Sequence, residues 1–104
     1  MAKAFWVTTY REIFDANKLA QYAKLALPAI EAGGGKFIVR GMPEKVYENG
    51  LMQRTVVIEF PDKATAKRFY QSPEYQEILK IRLSASSGRL FLVDGVDGPS
   101  PPPG

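Results

Sequence analysis

The residues of this chain best suited to chemistry are three arginines and two tyrosines: Arg40, Arg54, Arg82, Tyr10 and Tyr75. Histidine and cysteine are both absent. Their absence removes the commonest general base, the commonest metal ligand, thiol nucleophiles, thiolate metal sites and disulfides together. Chemistry must then use Tyr, Arg, Lys, Asp or Glu, or a substrate that is itself reactive. Arginines grip a carboxylate or phosphate through paired donors. Phenols orient a ligand or pass a proton. Glu59, beside Val57 on a strand, is a carboxyl that burial would turn toward a base. The catalytic candidates are thus Glu59 and Tyr75, and the ligand-binding candidates Tyr10, Arg40, Arg54, Tyr75 and Arg82.

Each candidate also has a plainer reading. Arg82 shares an apolar helical stripe with Ile78 and Leu79, where a cation needs a partner or a ligand. Snorkelling past the sheet edge, or an ion pair with Asp94 or Glu48, would satisfy it as well. Exposed strand-end charges near Glu48 and Glu59 account for Arg40 and Arg54. Tyr10, Tyr70 and Tyr75 suit structural roles between helix and sheet, and Glu59 suits a salt bridge across a subunit interface. Gly33-Gly34-Gly35-Lys36 follows a helix and opens a strand, the reverse of a phosphate loop's context. No cluster of carboxylates has metal-ligand spacing.

The elements that must position these residues are legible as a series. Alternation makes residues 3 to 10 a first strand that is apolar on both faces. Asp15 caps a helix whose Leu19, Tyr22, Ala23, Ala26 and Ile30 share one face, with Pro28 loosening its last turn. Gly33 to Gly35 end it, and Lys36 to Arg40 form a second strand. A loop over 41–52 leads to a third strand, Gln53 to Phe60, with Arg54, Val56, Ile58 and Phe60 on one face and Thr55, Val57 and Glu59 on the other. Asp62 caps the next helix, with Ala66, Phe69 and Tyr70 inward. Ser72-Pro73-Glu74 restarts it, and Tyr75, Ile78, Leu79, Arg82 and Leu83 share a face. Gly88 to Asp94 is a fourth strand. One domain over residues 1–95 is expected, then a disordered Pro/Gly-rich tail over 96–104.

The order βαββαβ with right-handed crossovers predicts a four-stranded antiparallel sheet, α+β and ferredoxin-like, with both helices on one face. Tyr10, Arg40, Arg54, Arg82 and Arg89 then gather at one sheet edge, below Glu48. The second sheet face is apolar, and a patch of that kind predicts a homodimer packed sheet to sheet. The alternative is an open face that stacks RNA bases. The third strand lacks the glycine and interleaved aromatics of that motif, which argues against nucleic acid. No apolar run is long enough for a signal peptide or a membrane span, so a soluble, cytoplasmic protein is expected.

Four segments resemble a known family. Gly34-Gly35-Lys36-Phe37-Ile38-Val39-Arg40-Gly41, Val57-Ile58-Glu59-Phe60-Pro61, Tyr70-Gln71-Ser72-Pro73-Glu74-Tyr75-Gln76 and Arg82 are similar to domain of unknown function 1330, with likeness running from Phe5 to Gly95. Met42, Phe69 and the turn Tyr47-Glu48-Asn49-Gly50 depart from the family pattern. The resemblance implies a ferredoxin-like fold in the dimeric α+β barrel superfamily, whose relatives include cofactor-independent monooxygenases, haem enzymes and small lactone isomerases. Without histidine, haem is not expected, and no cofactor is assigned. The expected function is binding of a small anionic or aromatic molecule between sheet and helices, with cofactor-free enzymatic chemistry on an activated substrate as its catalytic form. The alternatives are a structural or regulatory dimer without a ligand site and an RNA-binding sheet module.

Overall fold

The computed structural model describes residues 3–96. Apart from Val96, the proposed tail lies outside the described residues. The elements are β1 (Ala4–Ile13), α1 (Ala16–Ala32), β2 (Lys36–Gly41), β3 (Thr55–Phe60), α2 (Lys63–Gln71), α3 (Pro73–Ala85) and β4 (Ser86–Asp94). The fold is α+β, with one four-stranded antiparallel sheet of order β2-β3-β1-β4 and three helices. The expected second helix is two, which makes the order βαββααβ. The Ser72 hydroxyl closes α2 by donating to the Phe69 carbonyl at 2.7 Å and opens α3 by accepting from the Tyr75 amide at 3.2 Å. One side chain thus serves both helix ends, and Pro73 follows at the first helical position, where its missing amide hydrogen costs nothing.

Local chemistry sets the other boundaries. The Asp15 carboxylate accepts from the Lys18 amide at 3.0 Å and the Asp62 carboxylate from the Thr65 amide at 2.7 Å, each satisfying an orphan donor of a first helical turn. Helix α1 runs unbroken through Pro28 to Ala32. It ends where Gly34 adopts φ +100° and the Gly35 amide returns to the Ile30 carbonyl at 2.8 Å. Strand β1 outruns its expected end at Tyr10, because beyond a bulge at Arg11 it continues to pair with Ser86 and Ser87.

Side-chain parity divides the sheet. Ala4, Trp6, Thr8 and Tyr10 of β1 and Val56, Ile58 and Phe60 of β3 are buried beneath the helices. Trp6 centres that core, with ring centroids 5.1 Å from Phe60, 5.7 Å from Phe69, 5.5 Å from Tyr70 and 5.3 Å from Tyr75. Helices α2 and α3 pack on the sheet, and α1 packs on α3. Leu83, expected inward, is 62% exposed; the stripe through Tyr75, Leu79 and Arg82 turns it away from the core. On the opposite face Phe5, Val7, Val57, Phe91 and Val93 stand together by register.

Candidate functional site

The cleft exists because of what α1 lacks. Four of the α1 residues that line it, Ala16, Ala20, Ala23 and Ala26, are alanines, and their methyl groups do not fill the gap between a helix and a sheet. A cavity of about 420 Å³ remains between α1 and the β1–β3–β2 half of the sheet. Its apolar walls include Trp6, Leu19, Ile30, Phe37, Val56 and Ile58. Its polar lining is Thr8, Tyr10, Tyr22, Arg40, Arg54 and Arg82, with no Asp or Glu among the described residues.

Four of the expected site residues meet there, brought in by separate elements. Arg40 sits on β2 opposite Val56, with its guanidinium 5.5 Å from the Phe37 ring centre. Arg54 immediately precedes β3, and its carbonyl accepts from the Tyr10 amide at 3.0 Å. Tyr10 comes from β1 and Arg82 from the last turn of α3. Arg82 is buried, and its guanidinium lies 5.6 Å from the Tyr22 ring centre. Neither suggested ion pair forms: Asp94 pairs with Lys63 at 3.3 Å, and among the described residues no carboxylate pairs with Arg82. Burial works against its charge, but the phenols of Tyr75, Tyr22 and Tyr10 outweigh burial and hold its pKa above the ordinary arginine value.

The remaining candidates lie elsewhere. Tyr75 is fully buried beneath the cleft, and its hydroxyl meets that of Tyr22 at 2.7 Å. Burial pushes the Tyr75 phenol up, against the pull of Arg82, so at neutral pH it is a proton donor and not a base. Glu59 is on the opposite sheet face, where it pairs with Lys3 of its own chain at 3.3 Å. It does not reach the cleft, and the salt bridge it makes is internal. Arg89 pairs with Thr9 in the register and so also falls on that opposite face.

Tyr22 is the member that its helical pattern does not mark as functional. It shares a stripe with Ala26 and Ile30 and reads as core. The available signal is its neighbours: a helical stripe of alanines leaves a large side chain beside open space. Burial raises the Tyr22 phenol strongly, and the adjacent Tyr75 adds to this. Tyr10 is likewise raised by burial, with Arg82 and Arg54 pulling the other way. The cleft therefore presents three guanidinium cations and protonated phenols: it donates hydrogen bonds and accepts negative charge.

Fold and site together define an α+β protein of ferredoxin-like neighbours, with a cleft between its first helix and its sheet. More particularly, the chain belongs to the family Domain of unknown function (DUF1330), which matches residues 3–96. Comparison with curated proteins gives no match. Among solved structures, the chain is similar to a protein of unknown function from Rhodopseudomonas palustris (TM-score 0.75, 18% identity, 93% of this chain and 85% of that one). It is also similar to SnoaB, a cofactor-independent oxygenase from Streptomyces nogalater (TM-score 0.65, 14% identity, 94% and 97%). A third is a dimeric ferredoxin-like protein of unknown function from Thermobifida fusca (TM-score 0.60, 13% identity, 89% and 91%). At these identities the likeness is one of fold. Among the described residues no helix is long and apolar enough to cross a membrane.

Proposed function

We propose that this protein is a homodimer whose cleft binds a small molecule with a flat apolar body and an anionic group. The observation that carries the reading is the lining: Arg40, Arg54 and Arg82 line a largely apolar cavity with no acidic residue among the described residues. A protein without a ligand site would pair such arginines with its own carboxylates, whereas Arg82 is buried with no carboxylate partner among the described residues. The dimer is supported by the apolar sheet face, with Phe91 46% and Val93 47% exposed, and by dimeric proteins of the same fold.

A second reading, cofactor-free oxygenation of the bound molecule, is favoured by the likeness to a cofactor-independent oxygenase. Glu59 lies on the other sheet face and the Tyr75 phenol keeps its proton at neutral pH, so proton abstraction would rest on the substrate's own acidity.

A thermal-shift screen of aromatic carboxylates and phenols against wild type and Arg82→Ala tests the binding reading. A ligand at a hundred times its Kd stabilises the native state by about 2.7 kcal/mol, a shift of about 10 °C or more. The shift is expected in wild type and lost in Arg82→Ala, each measured against its own unliganded midpoint. No shift with any compound refutes the reading and favours a dimer without a ligand site. Oxygen consumption in the presence of a hit distinguishes oxygenation from binding alone.

A further inference from the structure

The proposal above leaves open which anion the cleft takes. Resting on that reading, we infer that its ligand is an acidic phenol or enol, held as its anion by Arg82 with the hydroxyls of Tyr22 and Tyr10 donating to the same oxygen.

Three observations carry this. The first is convergence. Arg82 comes from α3, Tyr22 from α1 and Tyr10 from β1, and all three line the cavity, with the Arg82 guanidinium 5.6 Å from the Tyr22 ring centre and close enough to Tyr10 to pull its phenol down. Donors arriving from three directions suit one oxygen atom carrying a full charge. A carboxylate spreads its charge over two oxygens and is better matched by a free guanidinium fork. Arg82 is buried beside the Tyr10 and Tyr22 hydroxyls, whereas Arg40 and Arg54 stand farther out toward solvent.

The second observation is the tyrosine pair, whose hydroxyls meet at 2.7 Å. Tyr75 is fully buried, and the Tyr22 oxygen is the one hydrogen-bond partner its hydroxyl has among the described residues. If Tyr22 donated to Tyr75, the Tyr75 hydrogen would be buried without an acceptor, at a cost that native structures avoid. The 2.7 Å contact permits either direction, and both hydrogens find a place only with Tyr75 as donor and Tyr22 as acceptor. That leaves the Tyr22 hydrogen free to point into the cleft it lines, and the bond it accepts strengthens it as a donor.

The third is the surroundings. The titratable and charged groups packed around this end are Tyr10, Tyr22, Tyr70, Tyr75, Arg54 and Arg82, each a phenol or a cation. The phenols of Tyr10, Tyr22 and Tyr75 are all raised above their ordinary value, so a bound phenol ionises before they do. The ligand's O–H bond breaks heterolytically, its electron pair stays on the ligand oxygen and the proton leaves to solvent. No oxidant, reductant or protein base is needed. An aromatic ring attached to that oxygen has Trp6, Phe37 and Ile58 as its walls.

The test uses 4-nitrophenol, which titrates near neutral pH and changes colour on ionising. Its absorbance is followed against pH with and without excess wild-type protein, with 4-nitroanisole and benzoate as parallel ligands. The bound phenol is expected to titrate at least one unit below the free one, equivalent to at least ten-fold preference for the anion. 4-Nitroanisole, which cannot ionise, should bind correspondingly more weakly. Tyr22→Phe, which keeps the ring, should lose part of the downward shift, and Arg82→Met should lose most of it. A bound pKa equal to or above the free value overturns the inference, as does 4-nitroanisole binding as tightly as the phenolate. An undiminished shift in Tyr22→Phe overturns it as well, and that variant serves even if Arg82→Met does not fold. Benzoate binding without 4-nitrophenol binding rejects this inference and leaves the anion cleft standing. Binding of neither overturns both.

Discussion

Removing the Tyr22 hydroxyl should cost more stability than removing the Tyr75 hydroxyl, although the two groups share one hydrogen bond. In Tyr22→Phe, the fully buried Tyr75 phenol loses its 2.7 Å partner and has no route to water. Leaving a buried hydroxyl unsatisfied costs about 1–3 kcal/mol. In Tyr75→Phe the stranded group is Tyr22, which lines the cleft and can turn to solvent there. Its loss is only the net value of a hydrogen bond, about 0.5–1.5 kcal/mol. In the double variant no hydroxyl is left unpaired, so its cost should fall below the sum of the singles by about 1 kcal/mol or more. Urea and thermal unfolding at one fixed protein concentration measure all four corners of this cycle, the concentration being held because the midpoint of the proposed dimer depends on it. For a domain of this size each kcal/mol moves the midpoint by about 4–8 °C, so Tyr22→Phe should melt at least about 4 °C below wild type. Strict additivity, or a larger cost for Tyr75→Phe, would refute the premise that the buried Tyr75 hydroxyl depends on Tyr22 alone, on which the direction of the bond rests.

Other outcomes follow from the same geometry. Gly35→Ala should destabilise by about 1–3 kcal/mol through overpacking, because the added Cβ would lie 2.6 Å from Ile30 Cγ2 and 3.0 Å from both Ile58 Cγ2 and Phe60 Cζ; an unchanged unfolding midpoint would contradict the packing. Alkaline pH should unfold the protein cooperatively. Tyr10, Tyr22 and Tyr75 all have folded pKa values above 10.0, so the folded state holds protons that the unfolded chain releases. Stability is full below about pH 10 and falls as pH rises through the folded values. Far-UV circular dichroism and tyrosinate absorbance should change together; tyrosinate forming with the fold intact would count against burial. Phe91→Asp, on the apolar sheet face, should weaken the dimer by at least about ten-fold, since burying an unpaired carboxylate costs several kcal/mol. Light scattering reads this directly, and a monomeric wild type would remove the dimer from the proposal.

The expected architecture was written in short-range chemistry. Asp15, Asp62 and Ser72 cap helices wherever they precede a helical pattern, because capping joins a side chain to an amide three residues on. Strand order was equally accessible, since right-handed crossovers leave few topologies for this series of elements. That order is also why Tyr10, Arg40, Arg54 and Arg82 could be expected together: their positions depend on element ends and not on side-chain packing. Arg89 stands apart from them because a strand end locates a residue along the sheet, while parity decides its face.

What the sequence determined by itself was therefore the elements, their caps and the edge at which the arginines gather, all consequences of periodicity and local hydrogen bonding. The tertiary structure decided the rest. Alternation separates Glu59 from Arg54, but with both sheet faces apolar it does not say which lies under the helices; only packing put Glu59 outside, beside Lys3. The cleft was decided the same way. Ala16, Ala20 and Ala23 are small wherever they stand, and they leave a cavity only because α1 rests on α3 and is held off the β2 side of the sheet. Tyr22 meets a hydroxyl partner at the cavity wall because Tyr75, far away in the chain, comes to lie beneath it. Distances between elements are set by all the side chains packed among them, and no local pattern carries that sum.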